Sequence, residues 1–168
     1  MKKIVIIIFS VLSILGISSC GIYSFSGTSI QPDVKSFTVE PFENNAMKIN
    51  PQLANLLTES LIDKYTNLTN LEMSTDNGDL RISGIITSYN IAPTAITADE
   101  IASQNRLTIT VKIKYTNRLH PEEDMEQSFS GFSNYDSSVA LDAIESSLCE
   151  EITDRIVEEI FNATVANW

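Results

Sequence analysis

Cysteine is nearly missing from the 168 residues: Cys20 and Cys149 are the only two, too few for a disulfide framework or a thiolate metal cluster. Histidine occurs once. His120 stands beside Pro121 in an acidic turn, with no nucleophile or carboxylate paired to it, so it reads as a solvated loop residue and not as a catalytic base. Basic residues are scarce as well, 11 against 22 acidic ones, for a net charge of −11. That balance disfavours nucleic acid and anionic lipid surfaces as partners of the whole domain. Glycine is limited to six residues, and none forms a phosphate-binding loop or a nucleophile elbow. The acids Asp76 and Asp79, and the run Glu122-Glu123-Asp124, lack the alternating oxygen spacing of a calcium loop and read as charged turns. No enzyme, metal or cofactor chemistry is expected from these residues.

Long hydrophobic runs are limited to one, residues 4–17, shorter than the roughly 20 apolar residues that span a bilayer. Met1-Lys2-Lys3 precedes it, so residues 1–19 read as an export signal. The signal closes on Ile17-Ser18-Ser19-Cys20, which resembles the lipobox of bacterial lipoproteins. Small residues let a peptidase approach the backbone, and the Cys20 thiol is the nucleophile that takes the lipid. Cys20 is therefore the expected lipidation site, and the mature protein loses two of its bases, Lys2 and Lys3. Each buried methylene contributes about 0.8 kcal/mol, and stable anchoring takes at least two chains; a triacylated, palmitate-bearing cysteine meets that condition. Cys149 is left without a partner.

Residues 20–33 then form a tether whose aromatics, Tyr23 and Phe25, suit packing against the domain better than a free linker does. Residues 34–168 have the size of one domain. Residues 34–40 alternate as a strand, with Phe37 and Val39 on one face and Pro41 as its stop. Asn50-Pro51 predicts a helix start, with Asn50 as cap, and Leu53, Leu56, Leu57, Leu61 and Tyr65 form its apolar stripe. A short strand within 68–73 and a turn at 76–79, rich in residues that tolerate positive φ, lead to strand 80–97, with a bulge expected near Gly84-Ile85-Ile86 and a bend at Pro93. The clearest strand is 106–115. Leu107, Ile109, Val111, Ile113 and Tyr115 face one way; Thr108, Thr110, Lys112 and Lys114 face the other. Residues 125–132 predict a further strand. Asp136, Ser137 and Ser138 offer caps to a last helix carrying Leu141, Ile144, Leu148, Ile152, Ile156 and Ile160, with Glu145, Glu150, Asp154 and Glu158 solvated and Asn162 as its stop. The order β-α-β-β-β-α is that of an α+β domain: two helices on one face of a small mixed, mostly antiparallel sheet.

The polar face of strand 106–115 gathers Arg106, Lys112 and Lys114 in a chain poor in bases. Lysines on a strand commonly pair with neighbouring acids or protect an edge. The same three residues are the candidate contacts to an acidic partner surface or an anionic lipid head group.

Three stretches carry a family resemblance: Cys20-Gly21-Ile22-Tyr23-Ser24-Phe25-Ser26-Gly27, Asn105-Arg106-Leu107-Thr108-Ile109-Thr110-Val111, and Ile160-Phe161-Asn162 through Val165-Ala166-Asn167-Trp168. Together they resemble the lipopolysaccharide-assembly lipoprotein family, LptE. The resemblance implies a lipid-anchored, periplasm-facing protein of the outer membrane. It implies a partner, a large β-barrel protein (LptD), which such a domain plugs and helps to assemble, and lipopolysaccharide as cargo. The segment Ala98-Asp99-Glu100-Ile101-Ala102-Ser103-Gln104 departs from the family in having no base, so no lipid-binding residues are carried over to it. The alternative reading is a stand-alone envelope lipoprotein that binds a small ligand or another envelope protein.

Overall fold

The computed structural model describes residues 30–48, 50–94 and 104–165. Cys20, Tyr23, Phe25, Trp168 and the segment 98–103 lie outside them. The chain runs through β1 (Ser36–Val39), β2 (Glu43–Asn44), α1 (Leu53–Leu68), β3 (Glu72–Met73), β4 (Leu80–Pro93), β5 (Gln104–Asn117), a 3₁₀ turn (Pro121–Glu123), β6 (Met125–Asp136) and α2 (Leu141–Thr164). The strands form one sheet in the order β3-β1-β4-β5-β6, and β2 also pairs with β4. The long pairs β4–β5 and β5–β6 are antiparallel, while β1 and β2 run parallel to β4. A parallel neighbour needs a crossover, and α1 supplies it. This is the α+β layout that the periodicities predict.

Both helices cover one face of the sheet. Leu53, Leu57, Leu61 and Tyr65 of α1 and Ile152, Ile156 and Ile160 of α2 are buried against Ile82 and Ile86 of β4 and Leu107, Ile109, Val111 and Ile113 of β5. Each such side chain contributes about 1.5–3 kcal/mol relative to leaving it in water. Tyr65 ties the helices to the edge: its ring centroid lies 5.3 Å from that of Phe37 and 5.4 Å from that of Phe161. Its hydroxyl meets Thr164 Oγ1 at 2.5 Å, which satisfies the one polar atom of a fully buried ring. Gly131 of β6 is small for packing reasons, since a Cβ there would stand 2.9 Å from Ile152 Cγ2 and 3.1 Å from Ile156 Cγ1. The glycine lets α2 lie close on the sheet.

Several boundaries differ from the expectation, each for a local reason. α1 begins at Leu53 with Gln52 as its N-cap. Asn50 instead closes a turn before the helix, its Oδ1 accepting the Gln52 N–H at 3.0 Å. Pro41 does end β1, but the chain rejoins the same edge as β2, where Glu43 and Asn44 pair with Ile85 and Ile86. The bulge in β4 falls between Ile86 and Ser88, one step beyond the expected place, and Gly84 stays in register with Ile113. In the turn before β4, no described residue has a positive φ. Gly78 is required because a Cβ would meet the Phe37 carbonyl carbon at 2.5 Å. α2 is capped by Ala140 without a side-chain bond, because the Asp136 carboxylate is taken by the N–H and the hydroxyl of Ser138, at 2.8 and 2.6 Å. The helix passes Asn162 and ends at Thr164. Glu145 is half-buried and not solvated: it accepts the Tyr89 hydroxyl.

Candidate interaction surface

Because both helices take the same face, the opposite face of β4, β5 and β6 carries no helix. Strand alternation places Arg81, Ser83, Ile85 and Thr87 of β4 there, with Arg106, Thr108, Thr110, Lys112, Lys114 and Thr116 of β5 and Glu126, Ser128, Ser130, Phe132 and Asn134 of β6. Hydroxyls bridge its centre: Thr110 Oγ1 and Ser130 Oγ lie 2.9 Å apart, and Thr87 donates to the Thr110 carbonyl at 3.2 Å. Ile85 and Phe132 are its exposed apolar side chains.

The structure brings Lys112 and Lys114 together and separates Arg106 from them. Lys112 stands six residue steps beyond Arg106, about 20 Å along β5. Lys112 is ion-paired with Glu126 of β6. The Lys112 bond, then the Lys112 charge and more weakly that of Lys114, hold the Glu126 carboxyl below its ordinary range. Lys114 forms no ion pair among the described residues and lines three shallow depressions, of about 170, 200 and 240 Å³. The second also holds Arg81, which pairs with Glu40 at 2.9 Å. Arg81, Lys112 and Lys114 therefore make one basic stripe across β4 and β5, of which Lys114 is the uncommitted charge.

Arg106 belongs to a separate cluster at the other end. Its guanidinium carbon lies 4.0 Å from the Phe132 ring centroid, and its Nε donates to Asn134 Oδ1 at 2.9 Å. Arg155 of α2 reaches round the edge of β6, 5.6 Å from the same ring, and donates to the Phe132 carbonyl at 2.9 Å. Phe132 is thus an exposed aromatic held between two cations. Reading the bases of strand 106–115 alone missed Arg81, Phe132 and Arg155. A signal existed for Phe132, which falls at an outward position in the alternation of β6.

The remaining candidates resolve into structural roles. Among the described residues there is no group of three or more metal-ligating side chains. Asp79 is a staple: Oδ2 accepts the Lys35 N–H at 2.9 Å and the Ser36 N–H at 3.2 Å, and Oδ1 accepts Arg118 Nη2 at 2.6 Å. These bonds, led by that from Lys35, hold its carboxyl below the ordinary range. His120 Nε2 lies 3.1 Å from both Asp33 carboxylate oxygens, and Nδ1 lies 3.4 Å from Glu122. The Asp33 bond raises the histidine's pKa and lowers that of the acid. Cys149 is buried, and burial pushes its thiol up; it is not a reactive thiolate. No described helix is long and apolar enough to cross a membrane.

An α+β domain with one helix-covered face and one open, hydroxyl-rich sheet face defines the class: a small binding or assembly domain. The family model described as lipopolysaccharide-assembly, LptE, matches residues 34–164, and the chain belongs to that family. Solved structures share the fold at low identity. A hypothetical protein from Chlamydia trachomatis aligns with TM-score 0.54 and 9% identity over 76% of this chain and 93% of that one. A minor lipoprotein from Acinetobacter baumannii aligns with TM-score 0.50 and 15% identity over 76% and 89%. An uncharacterized lipoprotein B from Nitrosomonas europaea aligns with TM-score 0.50 and 10% identity over 76% and 79%. No curated protein matches the chain in sequence.

Proposed function

We propose that the protein is an outer-membrane lipoprotein, anchored through Cys20 and facing the periplasm, that plugs and helps to assemble a large LptD-like β-barrel in lipopolysaccharide transport. The observation that carries this reading is the LptE family match over residues 34–164. The open face of β4–β6 is consistent with it, because the lumens of large outer-membrane barrels are polar and a face of Ser, Thr, Lys and Glu suits them. On that face Lys114, Lys112 and Arg106 are the proposed contacts to the barrel or to lipid head groups, with Lys114 foremost because it forms no ion pair among the described residues. Purification from native membranes in mild detergent tests the reading: a plug comes out in one-to-one stoichiometry with a single large barrel protein. A monomer free of any barrel would overturn it. Cys20→Ser tests the anchor separately, since the variant should persist as an unprocessed, lipid-free precursor by mass spectrometry.

A further inference from the structure

At one end of the sheet the start of β4, the end of β5, the 3₁₀ turn and the last turn of α2 enclose a cavity of about 380 Å³. Its size falls within the range of small-molecule sites. Leu80, Met125 and Ala163 give it apolar wall; Tyr115, Glu122 and Asp124 give it polar wall.

Tyr115 is the informative residue. The residue is only 3% exposed, and among the described residues its hydroxyl has no hydrogen-bond partner, which leaves it free toward the cavity that Tyr115 lines. Burial, then the charges of Glu123 and Asp124, raise its pKa, so the phenol stays protonated beside those carboxylates. The acids differ in what they have left to offer. Glu123 is committed through both oxygens, to Gln31 and to Asn117 Nδ2. Asp124 uses Oδ1 for the Asn117 N–H at 2.8 Å, and among the described residues its Oδ2 has no hydrogen-bond donor. Glu122 leans on His120 through one oxygen only. The carbonyl end of α2 adds negative potential from a third side: Ala163 and Thr164 line the cavity, and the last helical turn contains no basic residue. Three sources of negative potential and an unpaired phenol thus converge on a half-apolar space. A bare metal ion does not suit that wall, whereas an alkylammonium ion does.

We propose that this cavity binds a small primary amine with a short alkyl body, the ammonium donating to Asp124 Oδ2 and the Tyr115 oxygen while the alkyl chain lies on Leu80, Met125 and Ala163. The site is separate from the open sheet face and does not depend on the barrel partnership.

The test is titration of the full chain with n-hexylammonium, read from the Tyr115 ring and Ala163 methyl resonances, with n-hexanol and calcium chloride as comparison probes. The proposal expects saturable shifts with hexylammonium, at least about tenfold weaker binding of hexanol, and no competition from calcium. Tyr115→Phe keeps the ring and removes only the hydroxyl. Asp124→Asn keeps the acceptor for Asn117. Each should weaken hexylammonium about tenfold without changing the fold's circular dichroism. Equal binding of hexanol would reduce the site to a greasy cleft, and displacement by calcium would make it a metal site; either result overturns the proposal. So does wild-type affinity in both variants, or absence of saturable shifts. Should Tyr115→Phe fail to fold, Asp124→Asn decides alone.

Discussion

The two faces of β5 are built from alternate residues of one strand and obey different rules. On the covered face Leu107, Ile109, Val111 and Ile113 are wholly buried and held by shape. On the open face Arg106, Thr108, Thr110, Lys112 and Lys114 are held by hydrogen bonds and charge, and several remain at the solvent. A residue step of one along the chain therefore separates stability from recognition. Packing energy scales with area and volume removed from water, while exposed charge pairs contribute little to folding and much to partner choice.

The covered face should break first. Ile109→Ala is expected to cost about 3–4 kcal/mol, from lost transfer energy and the cavity left between β5 and the helices. Urea unfolding measures it, and a loss below that of an exposed substitution would mean the helices repack. Next comes Asp79, which belongs to neither face and joins the start of β1 to the start of β4 and the end of β5. Asp79→Ala should cost about 1–3 kcal/mol, since it leaves the part-buried N–H groups of Lys35 and Ser36 without their acceptor.

The same staple predicts a pH dependence. The folded pKa of Asp79 lies below its ordinary 3.8. Its stabilisation is therefore complete above that value and is lost as pH falls through the folded pKa. Wild type and Asp79→Ala should converge in melting temperature in acid. His120 behaves with opposite sign. Its pKa is raised above 6.5, so the Asp33 contact contributes fully below 6.5 and fades as pH rises through the folded value. His120→Gln should flatten a small slope in melting temperature on the alkaline side; an unchanged slope would remove the ion pair from the account.

The smallest effect on folding is expected on the open face. Lys112→Glu with Lys114→Glu should leave the melting curve nearly unmoved and weaken co-purification of the barrel partner, most strongly at low salt, where the charges are least screened. Unchanged co-purification would assign both lysines to solubility alone.

The strand and helix periodicities of 106–115, 53–65 and 141–160 were legible because a core-facing element writes its buried side into the sequence as a period. Lys112 and Lys114 were legible as one face of a strand for the same reason. Arg106 was misgrouped with them, because alternation tells which face a residue takes and says nothing of distance to the next functional group. Phe132 and Arg155, 23 residues apart in sequence, became one cluster only when α2 lay against the edge of β6. The caps failed at Asn50 and Asp136 because short polar side chains also close turns just outside a helix, and sequence alone does not choose between the two uses.

From its residues alone the chain determined an α+β domain of fixed core faces and a strongly acidic balance of charge, and three of its stretches carried the resemblance to the LptE family. The first two depend on local periodicity and composition, which each segment carries by itself. Only the tertiary structure decided that Lys114 is the uncommitted cation of the open face, that Asp79 staples three strand ends, and that Tyr115, Asp124 and the end of α2 surround one cavity. Those are relations between segments distant in sequence, and they exist only once helix and sheet packing has brought the segments together.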